Sequence, residues 1–263
     1  MRLSGIFVYP IKSCGGISLT ESEVAERGLA SDRRYMLVDR TGRFVSQREE
    51  PRLCQVKVAF EGERLRATAP GAAPLGLPRE LEGVGLEPRP YRVWESEGRA
   101  LREPEGSRWF SEFLQAEVSL LYMPDSERRA VSPKRARPED IVSFADGYPL
   151  LLISEASLQE LNSRLERPLE MQRFRPNLVV SGCDPYAEDT FTSLRIGEVS
   201  FRGVKRCERC VITTLDPETG EGGKEPLRTL AKYRLREGKV WFGMNLIHDG
   251  PGTLRLGDEV YLQ

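Results

Sequence analysis

Arg206-Cys207-Glu208-Arg209-Cys210-Val211-Ile212-Thr213-Thr214-Leu215-Asp216-Pro217-Glu218-Thr219-Gly220 sets two thiols among cations, follows them with a β-branched run and closes on a turn. Positive charge beside a thiol favours the thiolate, the form that ligates metals. A C-x-x-C pair also reads as half of a tetrahedral zinc site. Cys14, Cys54, Cys183 and His248 stand at no ligand-like spacing for the other half, however. A thioredoxin-type dithiol should open a helix. Val211 to Thr214, halted at Asp216-Pro217, predict instead that the pair opens a strand. The plain alternative is a pair of inert thiols packed as small apolar side chains, against which the interleaved Arg206, Glu208 and Arg209 argue.

Working outward, the pattern stays that of short strands. Arg2 to Tyr9 reads as a strand stopped by Pro10, with Lys12 and Ser13 presented on the glycine-containing loop that follows. Arg34 to Val38, Arg43 to Ser46, Cys54 to Phe60 and Arg64 to Thr68 continue a meander, and Ala69 to Pro90 reads as a surface loop before Tyr91 to Trp94. The second half adds Glu117 to Tyr122, Tyr148 to Ile153, Asn177 to Ser181, Leu194 to Ile196, Val199 to Phe201 and Val240 to Gly243. A terminal pair, Thr253 to Leu256 and Val260 to Leu262, turns about Gly257-Asp258. Three helices are predicted: Ser107 to Gln115 capped by Ser107, one capped by Ser154 with Leu158, Leu161 and Leu165 on one face and ended by Pro168, and Pro226 to Leu235 with Gly238 past its end. Many short strands with three helices predict a mainly β, α+β chain with closed or nearly closed barrels.

A chain of 263 residues is long enough for two modest domains. Its net charge of −1 gives no global pull toward nucleic acid, so any basic site is local. The proline-broken run from Arg128 to Pro138 is either a solvated loop or a basic lip over an anionic ligand. Five cysteines, no apolar leader after Met1 and no run of eighteen apolar residues predict a cytoplasmic, reduced protein without a membrane span. No G-x-G-x-x-G follows a strand, so a Rossmann dinucleotide site is not supported.

Tyr9-Pro10-Ile11-Lys12-Ser13, Gly28-Leu29 with Asp32-Arg33, Leu152 to Ser157, Phe174-Arg175-Pro176-Asn177, Ser181-Gly182-Cys183-Asp184, the Cys207 to Gly220 stretch, and Pro251-Gly252-Thr253 with Gly257-Asp258 occur in the order found in the MOSC family. Within it the chain is similar to the mitochondrial amidoxime-reducing component and its bacterial relatives. The resemblance spans the whole chain and implies an N-terminal MOSC β-barrel domain over 1–122 and a MOSC β-barrel domain over 123–263.

It also implies a molybdenum-molybdopterin cofactor held at the junction of the two. The family motif places the molybdenum ligand at Cys210, and a soft metal suits a thiolate. Lys12, Ser13, Arg33 and Arg175 stand where the family clamps the pterin phosphate, with Asn177 and Tyr148 as neighbours and Glu208 and Arg209 beside the ligand. Pyridoxal phosphate is left open as a second ligand class. Cys183 matches a family cysteine of unassigned role. The implied activity is reduction of N-hydroxylated small molecules, hydroxylamines and amidoximes, with electrons from an external ferredoxin-, flavin- or cytochrome-type protein. The alternative is a carrier or insertion protein for molybdenum cofactor or sulfur, without turnover of its own.

Overall fold

The structure, a computed structural model, describes residues 1–81 and 86–263. Strands make up 40% of it and helices 17%, so the chain is mainly β with helical additions. The largest sheet runs in the order Val260–Leu262, Ser193–Ile196, Val199–Glu208, Lys239–His248, Leu150–Ser154, Leu178–Ser181, Arg2–Val8 and Ile17–Leu19. The first strand of the chain therefore lies within the sheet of the second half: Ile6 pairs with Leu178 and Leu3 with Val180. One antiparallel neighbour pair sits beside one parallel pair, because Leu150–Ser154 meets Lys239–His248 antiparallel and Leu178–Ser181 parallel. The parallel crossover is carried by the helix Glu155–Asn162, whose first turn the Ser154 hydroxyl caps at the Ser157 amide.

Two cores follow. One gathers Ile11, Tyr35, Leu53, Leu77, Phe110 and Tyr122, all from the first half. The other joins Leu3, Ile6, Val8, Val24 and Leu29 to Leu152, Leu178, Phe201 and Leu246. A register shift between Leu3 and Gly5 in Arg2–Val8 lets Leu3 and Ile6, three residues apart, enter the same core.

Several expectations are corrected. Val211–Thr214 is a 3-10 turn, and the thiol pair closes a strand instead of opening one. The hydroxyls of Thr213 and Thr214 donate to the carbonyls of Cys210 and Val211 three residues back, which holds the turn against β-branched propensity. The first helix is Pro104–Leu114; its cap is Glu103, which accepts from the amides of Glu105 and Gly106, so Ser107 lies inside it. Leu165 falls beyond its predicted helix, which stops at Asn162, well before Pro168. Gly238 turns the hairpin between Leu235–Arg236 and Lys239–His248 and does not end the helix Leu227–Arg234. The two terminal strands do not pair with each other: Gly252–Arg255 pairs with Glu21–Ala25, and Val260–Leu262 with Ser193–Ile196.

Arg43 to Ser46 makes isolated bridges only, Phe44 to Val38 and Arg43 to Arg92. The expected loop from Ala69 to Pro90 contains the strand Leu75–Pro78 and the start of Pro88–Val93, and its residues 82–85 lie outside the described ones. The strand Ser96–Glu103, which no periodicity announced, completes a hairpin with Pro88–Val93. Among the described residues no sheet closes on itself. After Ile17–Leu19 the chain leaves the large sheet at Thr20 to pair Glu21–Ala25 elsewhere, which leaves the expected barrel open.

Candidate functional site

Five connections converge at one end of the large sheet. They are the loop after Arg2–Val8, the turn before Tyr35–Val38, the segment Ser46 to Arg48, the loop before Leu150–Ser154, and the Phe174 to Asn177 turn that faces the end of Val199–Glu208. They line a cleft that opens to solvent. Lys12, Ser13, Arg33, Tyr148, Arg175, Asn177, Glu208, Arg209 and Cys210, expected from the sequence, all line it.

Backbone strain is concentrated there. Ser13, Arg33 and Arg175 hold φ values of 72°, 47° and 55°, the left-handed region that side chains other than glycine seldom adopt. Such outliers persist only where surrounding contacts over-determine them. Here the contacts are visible. Arg33 donates to Asp32 at 2.6 Å and to the Asn177 side-chain oxygen at 3.0 Å. Arg175 donates to the Cys14 carbonyl at 2.7 Å. Both guanidinium groups lie over the Tyr9 ring, at 4.5 and 4.2 Å. Burial pushes the Tyr9 hydroxyl up to about 12 against the pull of those two cations, so the ring stays neutral beneath them. Asn177 serves as a brace: its oxygen also accepts from the Leu151 amide and its nitrogen donates to the Phe7 carbonyl.

The end of the strand carrying the thiols is irregular. Its register against Lys239–His248 shifts between Arg206 and Glu208, where Cys207 alone faces two residues of the partner strand, Phe242 and the positive-φ Gly243. A bulge re-aims the side chains around it. Arg209 donates to the Cys207 sulfur at 3.1 Å and to the Phe174 carbonyl at 2.7 Å, and its Nε is buried with no partner. Cys210 precedes the 3-10 turn in extended backbone, with Arg48 Nη2 at 3.4 Å from its sulfur. Glu208 points to the rim, paired with Lys239 at 2.7 Å.

Lys12 and Ser13 are buried, not displayed on a loop as expected. The Lys12 ammonium donates to the Phe144 carbonyl at 2.7 Å and pairs with Asp146 at 2.5 Å. Burial pushes Lys12 down to about 8, with Asp146 opposing. Burial would raise the Asp146 carboxyl, but the Lys12 charge and hydrogen bond, with Arg48 and Arg33 behind them, outweigh it and hold Asp146 below the ordinary carboxylate range. Arg48 and Asp146 are the site residues that sequence reasoning missed. Arg48 follows a stretch read as a strand; Asp146-Gly147, a turn dipeptide just before an apolar strand, was the available signal.

The charges do not balance: Lys12, Arg33, Arg48, Arg175 and Arg209 face Asp146 and Glu208. A cationic, partly desolvated cleft selects an anion, and the partnerless Arg209 Nε marks an unfilled acceptor position. Among the described residues no group of three or more His, Cys, Asp or Glu gathers to hold a bare ion. Cys210 thus suits a soft metal that brings other ligands with it, on a group with an anionic tail. The donor set fits a metal-pterin phosphate.

A model of the MOSC N-terminal beta barrel domain matches residues 1–117, and a model of the MOSC domain matches residues 139–261. Rat mitochondrial amidoxime reducing component 2 is 38% identical over 280 residues, covering 98% of this chain and 82% of the relative. This chain belongs to the MOSC family. Human mitochondrial amidoxime-reducing component 1 is 37% identical over 276 residues, again covering 98% of the MOSC protein described here and 81% of its own length. The mouse component 1 is 38% identical over 276 residues, with the same two coverages, 98% and 81%. In this MOSC protein residues from four of the stretches that carried the resemblance, around Lys12, Arg33, Arg175 and Cys210, meet at one cleft. Among the described residues no helix is long and apolar enough to cross a membrane.

One pH dependence follows. The folded value of Lys12, about 8, lies below its ordinary 10.5. Between those values the unfolded chain holds a proton that the folded chain has released, so the Lys12 contribution to stability improves as pH rises through that window. The cleft loses a positive charge over the same range. Affinity for phosphate, measured by equilibrium dialysis on the cofactor-free protein, should begin to fall above about pH 8. Lys12→Arg should remove that inflection; the same inflection in the variant would assign it to another group.

Proposed function

We propose that this MOSC protein is a molybdenum-cofactor-dependent reductase of N-hydroxylated compounds such as hydroxylamines and amidoximes. The observation that carries the reading is the Cys210 sulfur, in contact with Arg48, standing in a cleft with an excess of buried and half-buried cations. The names of the relatives, amidoxime-reducing components, supply the substrate class. When bound, a molybdenum-pterin supplies two-electron chemistry and a position for the substrate oxygen.

The chain's own residues divide the remaining tasks. Cys210 is the thiolate ligand. Lys12, Ser13, Arg33 and Arg175 clamp the anionic tail, with Asn177 fixing Arg33 by its 3.0 Å hydrogen bond. Arg209 offers its free Nε to the cofactor, Glu208 flanks the ligand, and Tyr148 borders the mouth. Leu150, Leu151 and Phe174 supply an apolar wall that limits water. Electrons come from a separate donor protein of ferredoxin, flavin or cytochrome type.

Metal and pterin analysis of freshly purified protein tests this, together with turnover of benzamidoxime by an artificial reductant. Molybdenum, pterin and turnover together support it. Absence of both metal and pterin after reconstitution overturns it, and tight cofactor binding without turnover would identify a carrier instead.

A further inference from the structure

Trp94 stands where a tryptophan is expensive. It is the first of the two residues that join Pro88–Val93 to Ser96–Glu103, since Val93 pairs with Ser96. Its φ is +53°, whereas Glu95 is not among the residues with positive φ. A two-residue hairpin loop with positive φ at its first position alone is built for glycine there, and for a bulky side chain the conformation is a genuine outlier. The strain secures little burial, because Trp94 remains 49% exposed. An exposed, strained aromatic calls for a functional account.

The surroundings supply one. The Arg48 guanidinium lies over the indole at 5.1 Å, and the same guanidinium donates to the Cys210 sulfur. Phe44 meets the indole edge-on at 5.0 Å, and Lys12 stands 5.2 Å from the Phe44 ring. Trp94 is therefore one guanidinium removed from the Cys210 sulfur, packed on the cleft-lining Arg48, with aromatic surface still open to solvent. Indole offers that surface to flat, π-delocalised groups, which favour offset or edge-on contact with it. A small hydroxylamine reaching the sulfur has nothing to lay on Trp94. An aromatic amidoxime has a ring conjugated to its reacting N–O group, and that ring extends outward.

We propose that Trp94 is a specificity-determining residue, a stacking platform that selects planar aromatic N-hydroxylated substrates over small aliphatic ones. The proposal rests on the reductase reading for its substrates, though not for all of its tests.

In the loaded enzyme, Trp94→Ala should lower the ratio of kcat/KM for benzamidoxime to kcat/KM for hydroxylamine about tenfold, the size of one lost aromatic contact. The change should fall in KM for benzamidoxime, and Trp94→Phe should restore most of the ratio. An unchanged ratio overturns the proposal, as does a loss confined to kcat. In cofactor-free protein, benzamidoxime should quench the indole fluorescence, and Trp94→Phe should remove that quenching; quenching that survives the substitution would place the contact at another tryptophan and overturn the platform. This arm is independent of turnover, so an inactive protein would count against the reductase reading alone. Finally, Trp94→Gly should melt a few degrees above Trp94→Ala, since only glycine is relaxed at this φ. The reverse order would remove the strain on which the inference stands.

Discussion

Cys210→Ser is expected to abolish turnover and to remove molybdenum, while leaving the melting transition nearly in place. A hydroxyl is a far poorer ligand for a soft metal than a thiolate. The fold should survive because Cys210 contributes to its turn through its carbonyl, which accepts from the Thr213 amide and hydroxyl, and not through its sulfur. Cys207→Ser should do less. Its sulfur accepts from Arg209, which keeps a second anchor at the Phe174 carbonyl. Metal content per chain for both variants decides the assignment, and full activity in Cys210→Ser with a dead Cys207→Ser would reverse it.

The second large effect concerns the clamp. Lys12→Ala, Arg33→Ala and Arg175→Ala should each lower pterin occupancy, because deleting one partner of a desolvated charge pair costs about 2 to 5 kcal/mol. Arg33→Ala carries an added penalty: it strips the buried Asp32 carboxylate of its cation, leaving that group bonded to the Tyr9 amide. Melting curves must therefore accompany pterin content for each variant. Arg175→Lys should weaken binding too, since an ammonium cannot span the Cys14 carbonyl and the Tyr9 ring while offering a planar fork outward. Neutralising Arg135 or Arg137 should leave occupancy nearly intact, because Arg135 is engaged with the Val204 carbonyl and Arg137 with Asp249. Full occupancy in all three alanine variants would mean the anion is held elsewhere.

The residues of this clamp were legible because glycine, proline and basic residues recur around them in a family order. Their convergence was not, since no local pattern states that residues 12, 33, 175 and 210 share a cleft. What failed were positions where short-range bonding overrides propensity. Val211 to Thr214 looked like a strand from its β-branched side chains, yet two threonine hydroxyls close it into a turn. Glu103 caps a helix that Ser107 seemed to announce, because a carboxylate reaching two amides outcompetes a hydroxyl one turn later. The pairing of Gly252–Arg255 with Glu21–Ala25 was invisible for another reason: two adjacent short strands around a Gly-Asp turn suggest a hairpin, and only the whole sheet shows otherwise. Arg129 shows the limit of reading charge runs. It stands second in a basic stretch, yet it is buried and donates to the carbonyls of Ser143, Ala145 and Asp146, where it shapes the wall that carries Asp146.

The placement of Arg2–Val8 inside the sheet of the second half governs when the cleft can exist. During synthesis this strand emerges first, and its partner Leu178–Ser181 emerges about 170 residues later at ordinary elongation rates of roughly 5–20 residues per second. Strands that pair over such separations fold slowly, since the loop between them must close before any contact repays it. The hairpins of Lys57–Glu61 with Arg64–Thr68 and of Pro88–Val93 with Ser96–Glu103 need no such wait. The nascent chain therefore holds a locally formed first half whose leading strand has only Ile17–Leu19 beside it, and Lys12 and Arg33 meet Arg175 and Cys210 only once residues past 210 have been made. On the proposed cofactor reading, loading should follow translation, and pulse-labelled chains released early should capture no pterin.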